Sequence, residues 1–410
     1  MAKNVIVGQS GGPTAVINSS LAGVLKTAKD LGADKVYGMR YGVEGFLDKK
    51  IIDLEEKIKN DLDIELIKRT PSSFLGSCRY KLPDIEVDRT VYEKIFEILK
   101  EYDISAFLYI GGNDSMDTIR KLSDYALQIG SDIRFIGVPK TIDNDLAVTD
   151  HTPGFGSAAK YIASVTKELV RDGLVYDMES VTVIEIMGRN AGWLTGAAAL
   201  AKGEDCEGAD LIYLPEKPFD VDAFIKKVAE LLKVKKSIVI AVSEGIKTED
   251  GRYVFELEAD TTSVDSFGHK MMSGTGRYLA SLIREKVGCK ARAVELSTLQ
   301  RCAGHLTSRV DSTEAYQAGG FAVKAAFEGE TGKMVTLNRV FNDPYICTTD
   351  LYDIHKIANV EKMVPLEWIT EDGTNVTQQL VNYIRPLIQD ELTATMINGL
   401  PRHIVMDDCE

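Results

Sequence analysis

The sequence predicts an α/β fold built on parallel-rich sheets, divided between two lobes. Short runs rich in Val and Ile alternate with longer segments of helical period, the pattern of parallel strands joined by crossover helices. Two of those runs, SVTVIEIM and SIVIAVS, hardly alternate between apolar and polar, as strands buried on both faces do. The length, 410 residues, exceeds what one hydrophobic core usually serves.

The first strand is read at Asn4–Gly8. The segment Ala15–Leu31 follows, with Val16, Ile17, Leu21, Val24, Leu25, Ala28 and Leu31 on one helical face, which should cover one side of the first sheet. Further strands are read at Ala106–Ile110, Arg134–Val138, Val181–Ile186, Ser237–Val242 and Ala291–Leu296. Between Thr248 and Gly276 the pattern breaks into turn residues (EDGRY, DTTS, SGTG), which reads as a hairpin or loop insertion. No Pro- or Ser-rich linker marks a boundary, as expected of a chain that crosses more than once between lobes.

Composition narrows the function. With 44% apolar and 27% charged residues the chain is neither disordered nor fibrous. A net charge of -14 and the lack of a long Lys/Arg stripe argue against nucleic acid. Anionic substrates would need a local concentration of Arg, Lys and backbone N–H groups. The six cysteines, at 78, 206, 289, 302, 347 and 409, include no C-x-x-C pair and suggest a reduced cytoplasm. Neither an export signal nor an apolar run of about 18–20 residues is present, so no membrane partner is expected.

In open α/β sheets ligands bind beyond the carboxyl ends of strands, so those ends carry the chemistry. They read QSGGP, GGNDS, PKTIDND, MGRNAGW, SEG and STLQR. Ser10-Gly11-Gly12 allows close backbone approach, with N–H groups free to face an anion. In Gly111-Gly112-Asn113-Asp114-Ser115 the oxygens beside a glycine loop suit Mg²⁺, although Asp114 or Ser115 could instead cap a helix starting near Met116. Pro139–Asp145 sets a Lys, a Thr, two Asp and an Asn in one loop, as a site would in which a carboxylate takes a proton and a cation screens phosphate. Arg79, Arg189 and Arg301 offer planar forks suited to phosphate oxygens, and Glu244 can accept from sugar hydroxyls. The five histidines fall outside any metal-ligand spacing and read as structural.

In this order and at these spacings the motifs resemble the phosphofructokinase family, over about Asn4 to Arg301. The resemblance implies two Rossmann-like α/β lobes with the active-site cleft between them. It divides the chain into a phosphoryl-donor lobe, residues 1–150 plus about 305–355, and a sugar-phosphate lobe, 151–304 plus about 356–410. Asp143 matches the base that takes the proton of the sugar 1-hydroxyl; Lys140, Arg79 and Asp114 complete the catalytic set. Gly11 falls on the donor side, Thr141, Ile142 and Asp145 beside the base. Met187, Gly188, Arg189, Glu244 and Arg301 fall on the sugar-phosphate side. Arg292 matches an arginine that reaches the neighbouring subunit's sugar phosphate, which implies a homo-oligomer, a dimer or tetramer.

Members that use ATP carry glycines where this chain has Asp114 and Lys140, so the resemblance implies pyrophosphate as donor, fructose 6-phosphate as acceptor and Mg²⁺ as cofactor. Asn113 stands where the family usually has a magnesium-associated Asp, leaving the metal to Asn113 and Asp114 with Asp145 in reserve. Thr298 and Ser180 replace a His and an interface Arg, which leaves the acceptor open to a longer sugar phosphate such as sedoheptulose 7-phosphate. The alternatives are an ATP-dependent enzyme, a nucleotide-dependent kinase sharing the Gly-Gly-acid loop, and a catalytically silent regulatory subunit.

Overall fold

The computed structural model describes residues 4–257 and 274–406. Its main strands are β1 (Asn4–Gln9), β2 (Val36–Met39), β3 (Ile51–Asp53), β4 (Ile104–Gly111), β5 (Arg134–Pro139), β6 (Ser180–Ile186), β7 (Leu211–Tyr213), β8 (Ser237–Ser243), β9 (Lys290–Glu295), β10 (Lys333–Asn342) and β11 (Tyr345–Asp353). They form two sheets. The first runs β11-β10-β5-β4-β1-β2-β3, parallel except for β11 against β10 and β3 against β2. The second runs β7-β8-β6-β9 and is parallel throughout.

The near-continuous apolar runs follow from burial on both faces. Val5 and Val7 join Leu108, Ile136 and the helix Ile17–Asp30 in one core; Ile6 points the other way, with Phe107, Phe135 and the helix Arg89–Glu101 in a second. In the second sheet Val181 and Val183 likewise face one cluster, Ile184 and Ile186 the other. Each such side chain taken out of water contributes about 1.5–3 kcal/mol.

The predicted helix face is buried at Val16, Ile17, Leu21, Val24, Leu25 and Ala28, but Leu31 lies beyond the helix end and is 40% exposed. That face meets both the sheet and the helix Arg309–Phe327. The two helices cross at glycines: a Cβ on Gly23 would lie 2.0 Å from Tyr316 O, and one on Gly319 2.0 Å from Ser20 O. This crossing returns the late chain to the first sheet, where β10 pairs with β5. Residues 364–388 instead pack with the second sheet through Val364, Ile369, Leu380, Ile384 and Leu387.

The chain therefore crosses between the two sheets more than once, as the missing linker implied. Of the expected insertion between Thr248 and Gly276, Lys247 bridges Tyr253 and a 3₁₀ turn covers Val254–Leu257; residues 258–273 lie outside the described residues. Among the described residues no helix is long and apolar enough to cross a membrane.

Candidate active site

The carboxyl ends of β1, β4, β5, β6 and β8 surround a cavity of about 1000 Å³ between the two sheets. Gly11, Arg79, Asn113, Asp114, Lys140, Thr141, Ile142, Asp143 and Asp145 line it from the first-sheet side. Met187, Arg189, Glu244 and Arg301 line it from the second. Gly188 and Arg292 do not. Gly188 shapes its loop from φ +133° and donates its N–H to Glu244 Oε1 at 3.4 Å. Arg292, on the edge strand β9, is 40% exposed and lies 3.6 Å from Asp172.

Two readings of the glycine loops need correction. Ser10 N donates to Ile110 O at 3.0 Å and Gly11 N to Cys78 O at 3.1 Å, so these two N–H groups hold the loop and do not face an anion. The helix after β4 begins at Asn113, not near Met116, and neither Asp114 nor Ser115 caps it. Ser115 packs against the chain at Gly111, where a Cβ would lie 1.9 Å from its Oγ. Asp114 is thereby left facing the cavity.

Lys140 is 3% exposed and donates from Nζ to Gly12 O at 2.7 Å, so its ammonium lies against the first glycine loop. Burial lowers its pKa to about 8 although Asp143 and Asp145 pull it back up. Burial also pushes Asp143 above the usual carboxylate range, against the opposing charges of Lys140, Arg189 and Arg301. Asp145 rises to about 7 through burial and the charge of Asp143, and Glu244 to about 8 for the same two reasons.

Asn144 holds the two acids apart. It is fully buried at φ +56°, a left-handed turn that an Asn tolerates, with Nδ2 on Tyr383 Oη at 2.9 Å and Oδ1 accepting from Thr152 N at 3.1 Å. Thr141 Oγ1 accepts from Asp143 N at 3.1 Å and closes the turn.

The opposite wall is incompletely satisfied. Arg189 Nε is buried without a hydrogen-bond partner, and neither Arg189 nor Arg301 forms an ion pair among the described residues. Burial and the nearby Arg79 lower the proton affinity of Arg301. Asn113 Oδ1 is also buried without a partner. Unpaired cations and an orphaned carbonyl oxygen in one cleft are groups waiting for oxygen-rich anions and a hard cation. Sequence reasoning missed Asn190, Tyr253, Asn359 and Glu361, which also line the cavity. Asn190 adjoins the MGR motif and was open to inspection; Asn359 and Glu361 follow no strand and carried no signal.

Fold and site together define a two-lobed α/β protein with a charged cleft, lined by the unpaired Arg189 and by acids of raised pKa, between its sheets. The chain matches the phosphofructokinase model over residues 4–326 and belongs to that family. It is 40% identical over 403 residues to the pyrophosphate–fructose 6-phosphate 1-phosphotransferase of Halomonas elongata, covering 97% of this chain and 95% of that one. Against ATP-dependent 6-phosphofructokinase 3 of Streptomyces coelicolor the identity is 34% over 333 residues, 80% and 89% of the two chains. The crystal structure of pyrophosphate-dependent phosphofructokinase from Nitrosospira multiformis superposes with a TM-score of 0.89 at 37% identity, covering 100% and 97%.

Proposed function

We propose that the protein transfers a phosphoryl group from pyrophosphate to the 1-hydroxyl of fructose 6-phosphate, giving fructose 1,6-bisphosphate and phosphate. The observation that carries this is the placement of Asp143, a half-buried carboxylate of raised pKa that lines the cavity with the Lys140 ammonium and the unpaired Arg189. Asp143 takes the hydroxyl proton as the sugar oxygen bonds to phosphorus and the bridging P–O bond to the departing phosphate breaks. A carboxyl of raised pKa is a stronger base than an ordinary one. Lys140 and Arg79 offset the charge on the transferring and departing phosphates, and Asp114 and Gly11 line the donor side. Arg189, Arg301 and Glu244 hold the sugar phosphate, with Met187 and Gly188 shaping that loop; Thr141, Ile142 and Asp145 frame the base.

The oxygen donors fit a magnesium ion, since Asn113 Oδ1 lacks a partner and Asp114 faces the same cavity. Asn113 and Asp114 would hold Mg²⁺, which when bound neutralises charge on the phosphates. The first sheet and its returning segment (1–150 plus about 305–355) serve as the donor lobe, and 151–304 plus about 356–410 as the sugar-phosphate lobe, except that Ile357, Ile404 and Met406 pack against the first sheet instead. Arg292 outside the cavity, with Leu174, Val175, Tyr176 and Met178 exposed, supports a homo-oligomer, a dimer or tetramer; the cysteines without a C-x-x-C pair favour a cytoplasmic location, and the net charge of -14 disfavours nucleic acid.

Pyrophosphate is favoured over ATP because Asp114 and Lys140 fill the donor end: a carboxylate there repels the additional phosphate of a nucleotide. Initial rates with each donor at matched concentration test the reading. Turnover with pyrophosphate and not with ATP is expected; robust ATP-driven turnover would overturn the donor assignment.

A further inference from the structure

Residues 359–364 lie beyond the segment matched by the family model, have no regular secondary structure beyond an isolated bridge, and run through the cleft. Between them they touch both lobes. Asn359 Nδ2 donates to Asp117 Oδ1 at 3.2 Å, on the helix after β4. Glu361 bridges Leu146 through its backbone and accepts from Asn190 Nδ2 at 3.1 and 3.0 Å. Val364 N donates to Glu216 Oε1, which also receives Gly192 N.

Lys362 is the centre of this strap. Its N–H donates to Asp145 O at 2.7 Å, and Nζ donates to Asp150 O at 2.6 Å, Thr149 O at 3.2 Å and Asn144 Oδ1 at 3.4 Å. On the other side its carbonyl accepts from Trp193 Nε1 at 2.8 Å, and its ammonium lies 5.2 Å from the Trp193 ring centroid. Trp193 follows the MGR loop of the second lobe. One side chain therefore gathers three acceptors of the turn carrying Asp143, while the same residue grips the element that positions Arg189.

We propose that Lys362 is a positioning residue: by closing the turn Asn144–Asp150 and tying it to Trp193, it fixes Asp143 relative to Arg189 across the cleft. A charged ammonium suits the task because three oxygens converge on it and charge-assisted hydrogen bonds are roughly twice as strong as neutral ones. A misplacement of about 1 Å between base and acceptor lowers turnover roughly a hundredfold, whereas binding through the arginines persists.

The proposal rests on the phosphotransfer reading, so the test carries a readout independent of activity. Amide hydrogen exchange of the peptide spanning 141–150 is followed in the full chain and in Lys362→Met. Exchange there should accelerate at least about tenfold while β1 and β8 keep their protection. In the assay, kcat should fall about ten- to a hundredfold with both KM values within about threefold. Unchanged exchange at 141–150 overturns the positioning role whatever the activity, and an inactive wild-type chain overturns the phosphotransfer reading alone. Should Lys362→Met loosen the whole chain, Tyr383→Phe decides, since it removes only the hydroxyl facing Asn144 and Asp150 O. Local acceleration in that variant supports the network through which Lys362 acts; protection equal to wild type overturns it.

Discussion

Of two large cavities among the described residues, the larger is not where the chemistry gathers. A cavity of about 2180 Å³ opens beside residues 164–177, 199–212 and 370–385, more than twice the volume of the cleft between the sheets. Three of its lysines pair with carboxylates: Lys167 lies 2.8 Å from Asp205, Lys235 2.7 Å from Asp210, and Lys236 pairs with Asp177. The cleft differs in its buried groups. Arg189 Nε and Asn113 Oδ1 lack partners, and Lys140, Asp143, Asp145 and Glu244 all have displaced proton affinities. Volume measures room, whereas unpaired and displaced groups record what a ligand must complete.

The sharpest way to break this contrast is at Asp143. Asp143→Asn keeps the shape of the turn but removes the base, so kcat should fall by several orders of magnitude with sugar-phosphate binding largely intact. Retention of more than about a tenth of the wild-type rate, a difference of ~1.4 kcal/mol, would make the assignment untenable. In the larger cavity Lys167→Met should leave turnover within about twofold, because an exposed ion pair contributes little.

Arg189 and Arg301 come next. Alanine at either removes a charge-assisted contact worth about 1.5–3 kcal/mol, so KM for fructose 6-phosphate should rise roughly tenfold to a hundredfold while KM for the donor stays near wild type. Steady-state titration of both substrates checks this. Equal effects on both would put the arginines on the wrong wall.

A smaller effect is expected at the donor end. Asp114→Gly should admit ATP as a slow donor without abolishing the pyrophosphate reaction, whereas Lys140→Met should lower kcat more than it raises KM. Asp114 and Lys140 do not pair with each other; Lys140 donates to Gly12 O instead, so the two can be tested separately. If ATP is as poor a donor for Asp114→Gly as for wild type, residue 114 does not exclude the nucleotide.

What could be read from sequence follows from how each part is built. All six strands taken from Val/Ile runs are present; the five interior ones are apolar along their length because both faces are buried, whereas β9, at a sheet edge, is only half-buried from Arg292 on. The strands that were not read are short or lie toward the sheet edges: β2 has four residues, β3 and β7 three each, and β11 alternates half-buried with exposed positions along an edge. The motif residues were legible because strand ends bring a short, dense set of polar groups to one place. Lys362 and Glu361 were not, since ANVEKM has neither period nor motif and its contacts are with residues 145–150 and 190–193. The free N–H groups expected of QSGGP failed for a related reason: β4 and the loop at Cys78 take two of them, which only the fold reveals.

The mildest prediction lies behind the cleft, where His151 separates two carboxylates. Its Nδ1 lies 2.8 Å from Asp150 Oδ2, and its Nε2 2.6 Å from Glu314 Oε2 and 3.5 Å from Tyr345 Oη. Arg339 lies 2.9 Å from the same Asp150 oxygen, and Tyr345 Oη donates to Glu314 Oε1. Burial alone would depress His151, but Glu314 and Asp150 outweigh it and raise the pKa from 6.5 to about 9. Because the folded value exceeds the unfolded one, the stabilisation is fully present below about pH 6.5 and is lost as pH rises through about 9. Thermal unfolding from pH 6.5 to 9 should therefore show Tm falling by a few degrees more in the wild-type chain than in His151→Gln, which does not titrate in that window. The raised carboxyls Asp145 and Glu244 bend both curves alike, so the difference between the two proteins isolates the imidazole. The rival is a metal held by His151, Glu314 and Cys347, whose ligand atoms lie within 4.8 Å of one another. Both ring nitrogens already meet carboxylates, so treatment with a strong chelator should leave Tm and its pH slope unchanged. A chelator-induced drop in Tm that His151→Gln abolishes would replace the proton with a metal.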